Sequence, residues 1–161
     1  MSVDYIVASL PPLKFGESPA LTWEKFEAAA EGVCFADILS KEWAVLETAL
    51  KNALVELRAA DRHRQAEAAK YLRDTPLCTL YWKNRILDAY KIESVAKRDE
   101  AIDRVFWDAA GELTPPASPL GLGALATYAV RLKIALRRAL ISAERGNAAF
   151  DRLTASTKIE F

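Results

Sequence analysis

The side chains best suited to chemistry in this chain are few and lie far apart. His63 is the only histidine, and it stands in the polar stretch 61–65 of a predicted helix. A zinc site needs several converging nitrogen, thiolate or carboxylate ligands, and a di-iron bundle needs Glu-x-x-His pairs. A serine or cysteine nucleophile would also need this one histidine as its base. We therefore expect a solvated His63, no metal, no cofactor and no catalytic residue.

Carboxylates pair at helical spacing in three places. Such pairs can bind cations or perform acid/base chemistry when they are buried. The pairs are Glu27 with Glu31, Asp99 with Asp103, and Asp108 with Glu112. Basic neighbours such as Arg98 and Arg104 accompany them, which favours solvated ion pairs over an active site.

Nucleotide-binding and redox motifs are missing from the sequence. It has no GxxxxGK[ST], and Gly121-Leu122-Gly123 does not follow a predicted strand as a dinucleotide-binding loop should. Cys34 and Cys78 lack CxxC spacing and suit reduced cysteines in a cytosol. We expect a protein that is not an enzyme.

The charge is balanced overall but unevenly distributed. Lys plus Arg number 22 and Asp plus Glu number 22, so no global field attracts nucleic acid or an anionic membrane. Residues 1–50 carry a net charge of −5, whereas residues 119–161 carry +4. This distribution suits a protein held between partners of opposite sign, or two ends that neutralise each other within the fold.

Helical patterns cover the middle of the chain. Thr22 is a predicted N-cap for a helix from residue 23 to about 32. A run from residue 37 or 40 to 73 lacks Gly and Pro, and a helix of about 33 residues would span about 50 Å. Its apolar stripe fades at 61–65, where the helix either breaks or crosses solvent. A shorter helix is predicted over 77–90, and Ser94 can cap the next.

The C-terminal third begins with a proline-rich corner at 114–119. An amphipathic helix follows, with Leu125, Tyr128 and Leu132 on its apolar stripe. Gly146 interrupts or ends it, and Phe150, Leu153 and Phe161 suggest a docked tail. Trp82 and Trp107 are predicted core residues.

The opening run Tyr5-Ile-Val-Ala-Ser-Leu10 meets Pro11 and Pro12 at once. No basic residue precedes it and it is shorter than the roughly 7–15 apolar residues of a secretory signal, so we expect it to remain on the mature protein. We predict that residues 1–20 are an extended strap and loop, packed across the helices by Tyr5, Val7, Leu10 and Phe15. The alternative is an edge strand paired with residues 158–161.

These patterns together predict one all-α domain over residues 1–161, a helical bundle with long helices and an extended N-terminal strap. No stretch approaches the roughly 20 apolar residues of a membrane span, so we expect no direct membrane insertion.

Several short motifs, in order, resemble an uncharacterised bacterial family encoded within V-type (A/V-type) ATPase operons. They are Ala8-Ser9-Leu10-Pro11-Pro12-Leu13 with Phe15-Gly16, Leu57-Arg58-Ala59, Ala69-Lys70-Tyr71-Leu72-Arg73, Arg98-Asp99-Glu100-Ala101-Ile102-Asp103-Arg104 with Trp107, Tyr128, Leu132-Lys133-Ile134, Arg137-Arg138 and Glu144-Arg145-Gly146.

That family is similar to the C subunit of V/A-type ATPases, called d in eukaryotes, an all-helical socket between the central rotor shaft and the membrane ring. The resemblance implies a non-catalytic subunit or assembly factor, cytoplasmic and held at the inner membrane by the central stalk and membrane ring. The alternative is a free-standing helical adaptor with no tie to the ATPase. Candidate partner-binding residues are Leu10, Pro11, Pro12, Leu13, Phe15, Arg131, Arg137 and Arg138.

Overall fold

The computed structural model describes residues 2–75 and 79–141, and within these ranges it contains helices and loops only. The predicted all-α class is confirmed. None of the helices described is long and apolar enough to cross a membrane. In chain order they are α1 Val3–Ser9, α2 Trp23–Ala29, α3 Ala36–Ile38, a π-helical turn Leu39–Trp43, α4 Ala44–Asp61, α5 Gln65–Ala68, α6 Leu80–Tyr90, α7 Val95–Ala109, a 3-10 turn Ala110–Leu113 and α8 Leu122–Leu140.

The N-terminal residues form a helix, so the extended strap predicted for 1–20 is wrong over Val3–Ser9. The Ser2 hydroxyl accepts a hydrogen bond from the Tyr5 amide and caps the first turn. Ile6 is 2% exposed and packs against α8. Burial of this residue in a tertiary contact outweighs the preference of the β-branched run for extended backbone.

The extended conformation begins at Leu10, where φ is −67° and ψ is 137°. A residue before proline is pushed out of the α region, and proline lacks the amide hydrogen of a helical residue. Pro11 and Pro12 therefore end α1. The alternative of an edge strand over residues 5–10 is also wrong, and its partner at 158–161 lies outside the described residues.

One continuous helical run extends from Ala36 to Asp61 through the π-helical turn. It ends because His63 has a left-handed backbone, with φ of 54°, and the Arg64 amide donates to the Ala59 carbonyl at 2.8 Å. Of the two alternatives predicted for the polar stretch 61–65, the break is confirmed, and the helix does not continue to residue 73.

Other helix ends follow the local signals closely. The Thr22 hydroxyl accepts from the Lys25 amide and caps α2, and Gly32 has a φ of +79° just beyond that helix. Ser94 occupies the N-cap position of α7, although its side chain makes no capping hydrogen bond. The predicted helix over 77–90 begins at Leu80 among the described residues.

The proline-rich corner connects the 3-10 turn to α8, as predicted. Gly123 lies so close to this turn that a Cβ on it would be 2.0 Å from the Leu113 carbonyl oxygen. Only glycine fits there, and it allows the start of α8 to pack directly on the turn.

The described residues form two large apolar cores and a smaller cluster. The α4–α6–α7 core contains Leu50, Leu54, Trp82, Ile86 and Val105 with smaller neighbours. The α1–α2–α8 core contains Ile6, Phe26, Leu125 and Leu132. A smaller cluster of Leu113 and Val130 joins the 3-10 turn to α8, with the π-helical turn packed on it. Trp82 and Trp107 are 5% and 6% exposed, which confirms both as core residues.

Candidate partner-binding site

Phe15 is the centre of an aromatic and cationic cluster that ties the N-terminal segment to α7 and α8. Its ring meets Trp107 edge-on at 5.5 Å between centroids. The guanidinium carbons of Arg104 and Arg138 lie 5.0 and 5.2 Å from the Phe15 ring. We call these four residues the Phe15 cluster. Cation–π and edge-to-face contacts of this kind add to the apolar burial of the ring.

The proline pair is anchored beside this cluster. The Tyr128 hydroxyl donates to the Pro11 carbonyl at 2.9 Å, and Leu10 and Leu13 pack on the α1–α2–α8 core. Burial raises the pKa of the Tyr128 phenol, because an apolar environment disfavours the phenolate. Among Leu10, Pro11, Pro12 and Leu13, Pro12 is the exposed residue.

Asp103 on α7 is buried, at 4% exposure, so its predicted solvation is wrong. It faces α8, where it forms ion pairs with Arg137 and, at 3.0 Å, with Arg138. Arg138 also lies 3.8 Å from Glu100. A buried carboxylate requires such partners, and the two arginines of the last turn of α8 supply them.

Arg131 is also used within the chain. Its Nε donates to the Trp107 carbonyl at 3.1 Å, and its guanidinium lies 5.3 Å from the Trp107 ring. Burial lowers the pKa of Arg131, since desolvation disfavours the charged form. The partner-binding role of Arg131, Arg137 and Arg138 stays a prediction, and Arg137 is the one with about half of its side chain exposed.

A groove of about 740 Å³ lies between α4 and α8. Trp43 and Leu39 of the π-helical turn close one part of it, and Ile102 and Phe106 of α7 also line it. A π-helical turn displaces side chains from regular helical positions, and such turns are frequent at functional sites. The remaining lining residues are Glu47, Lys51, Leu54, Val55, Arg58, Asp99, Asp103, Ala129, Val130, Lys133, Ile134 and Arg137.

A second hollow of about 290 Å³ continues from this groove at the C-terminal end of α4. The two share Val55 and Arg58. Arg62 and Arg64 line the second hollow, together with Tyr71 and Glu67. We call the two together the α4–α8 groove and its arginine end.

Residues suited to catalysis are not brought together in the described ranges. His63 is exposed, and no group of three His, Cys, Asp or Glu side chains there could hold a metal ion. Asp108 pairs with Arg85 at 2.8 Å and with Arg104 at 3.3 Å. Cys34 is an exposed free thiol, and Cys78 lies outside the described residues.

The groove was not predicted from the sequence, although a signal for it exists. Ala126, Val130 and Ile134 recur at steps of four on α8 and form a second apolar stripe beside the predicted one. Ala126 and Val130 are buried against the 3-10 turn, and the end of this stripe at Val130 and Ile134 lines the groove.

Comparison of the chain with protein-family models, with curated proteins and with solved structures finds no match.

Proposed function

We propose that this protein is a non-catalytic helical subunit or assembly factor of a bacterial V-type ATPase, in the position of a socket between the central rotor shaft and the membrane ring. Its partners would be the central stalk and membrane ring subunits, and it would be peripheral to the inner membrane through them. The proposal rests on the family resemblance of the sequence motifs.

The positions of these motifs in the structure support the proposal. Three of these motifs are far apart in sequence but meet in the structure. Phe15 contacts Trp107 of the α7 motif and Arg138 of α8 in the Phe15 cluster, and Pro11 accepts a hydrogen bond from Tyr128 of α8 beside it. Residues that a family shares because of a common fold are expected to meet in this way, since they determine how distant segments pack. The resemblance thus concerns one connected part of the architecture.

A non-catalytic role also suits the geometry. Arg137 and Arg138 of α8 pair with Asp103 of α7, and an open groove lies between the described helices α4 and α8. Grooves between helices are a common docking site for partner proteins.

The test is purification of the tagged chain from its own cell after gentle solubilisation of the membranes, with identification of the accompanying proteins by mass spectrometry. We expect the catalytic A and B subunits, shaft subunits and ring subunits in a fixed ratio. The untagged strain controls for adsorption. Elution of the chain alone from the cytosol would contradict the proposal and favour the free-standing adaptor.

A further inference from the structure

The α4–α8 groove has the dimensions of a helix-binding site. Along α4 it extends from Glu47 to Arg58, which corresponds to about 16 Å or three helical turns. A helix with side chains is about 10–12 Å across. A volume of about 740 Å³ therefore matches a helix of roughly three turns that enters the groove to half of its diameter. This volume exceeds what one or two isolated side chains would fill.

The groove presents apolar surface that residues 2–75 and 79–141 cover only in part. Trp43, Val55, Ile102, Phe106 and Ile134 all line it, and each is half-buried. They come from the π-helical turn, α4, α7 and α8, so every element that lines the groove contributes apolar surface to it. Such a surface favours a ligand with an apolar stripe.

The charges around the groove select the sign of the ligand. Glu47 is paired with Lys51 at 2.7 Å, and Asp103 is paired with Arg137. Asp99 lines the groove without an ion pair among the described residues, and Lys133 lies 4.5 Å from the Trp23 ring. Arg58 and Arg62 are exposed and form no ion pair within the described residues. With Arg64 they place three guanidinium groups at one end of the groove, where Glu67 is the one carboxylate in the lining.

We propose that the α4–α8 groove and its arginine end bind a single amphipathic helix of a partner protein. The ligand helix has an apolar stripe with i, i+4, i+7 spacing and an acidic end. The stripe lies over Trp43, Ile102 and Ile134, and the acidic end lies against Arg58 and Arg62. This inference rests on the groove alone and is independent of the ATPase proposal.

The test uses the purified full chain and two fluorescent helical peptides, with binding followed by anisotropy. Both peptides carry leucines at i, i+4, i+7 and i+11. One ends in four glutamates and the other in four lysines at the same positions. We expect saturable binding of the glutamate peptide, weakened by added salt, and at least about tenfold weaker binding of the lysine peptide.

Variants locate the site. The double substitution R58E/R62E is expected to weaken the glutamate peptide at least about tenfold and to strengthen the lysine peptide. K83E, on an exposed position of α6, reverses one charge away from the groove, half of the change in the double variant, and should alter binding less than about twofold. Because these three side chains are exposed, we expect the variants to fold as the unmodified chain does. Circular dichroism and thermal melting check this.

Three results would overturn the proposal. Equal binding of both peptides would show that the arginine end selects nothing. Absence of binding by the glutamate peptide would show that the groove accepts no such helix. A dimer in sedimentation that R58E/R62E dissociates would assign the groove to a second copy of the chain.

Discussion

The two apolar cores of this protein are built in different ways. The α4–α6–α7 core joins residues that lie between 43 and 109, so most of its contacts form between helices that follow one another in the chain. The α1–α2–α8 core joins residues 6–39 to residues 125–136. All residues of the first core lie between these two segments in the sequence. Helix α1 is short and has a strong tendency to extended backbone, so its conformation depends on this distant contact.

The ring–ring contacts of the second core converge on one residue, Phe26. Phe26 is fully buried and contacts the rings of Trp23, Phe35 and Tyr128 at centroid distances of 5.2 to 5.8 Å. One residue therefore connects α2 to α8 and to the segment before the π-helical turn. In the first core Trp43 and Phe106 form an edge-on ring contact at the periphery, and Trp82 is buried among aliphatic side chains.

Phe26→Ala is expected to produce the largest effect. Removal of a fully buried Phe side chain costs about 3–5 kcal/mol of the free energy of unfolding. Chemical denaturation measures this loss. Native-state hydrogen exchange should show that the amides of α8 lose more protection than those of α6.

Ile86→Ala is the matched variant in the first core, because Ile86 is also fully buried. Its cost should be about 2–5 kcal/mol, and the loss of protection should be greater in α6 than in α8. Equal loss of protection in both helices for both variants would mean that the two cores open as one unit.

Asp103→Asn tests the ion pairs that join α7 to α8. The neutral amide loses the charge-assisted hydrogen bonds to Arg137 and Arg138, and a cost of about 2 kcal/mol is expected. Thermal or chemical unfolding measures it. Asp99→Asn is the control, one turn earlier on α7, where no ion pair is found within the described residues. Similar stability of both variants would contradict a structural role for the buried carboxylate.

Tyr128→Phe should have the smallest effect, a loss of about 1 kcal/mol from the hydrogen bond to the Pro11 carbonyl. The raised pKa of Tyr128 gives this loss a pH dependence. Its stabilisation is complete below the pKa of an unfolded tyrosine, about 10, and is lost as the pH rises through the folded value.

The measurement compares the free energies of unfolding of the unmodified chain and the Phe variant from neutral to alkaline pH. The difference between them should shrink above pH of about 10, since Phe does not titrate. A difference that stays constant would show that the phenol is not buried in the folded state.

Much of the helical pattern could be predicted because its causes are local. Thr22 caps α2 through a side-chain oxygen three residues from its donor, and Gly32 adopts the left-handed backbone that ends helices. The corner at 114–119 follows from the fixed φ of proline. These signals need no knowledge of distant contacts.

The arginines on α8 illustrate what could not be predicted. Arg131, Arg137 and Arg138 appear in the sequence as a basic patch available to a partner. In the structure Arg138 contacts Asp103 and Phe15, and Arg131 contacts Trp107. Sequence spacing shows which residues share a helix face, but it does not show which other helix that face meets.

The sequence by itself determined the all-α class and the core positions of Trp82 and Trp107. It also determined that α2 begins after Thr22 and that α8 begins after the proline-rich corner. These follow from periodicity, capping and side-chain size. The tertiary structure alone decided the helical state of Val3–Ser9, the burial of Asp103 and the existence of the α4–α8 groove. Each of these depends on residues far apart in the chain, and their free energies appear only when the helices pack.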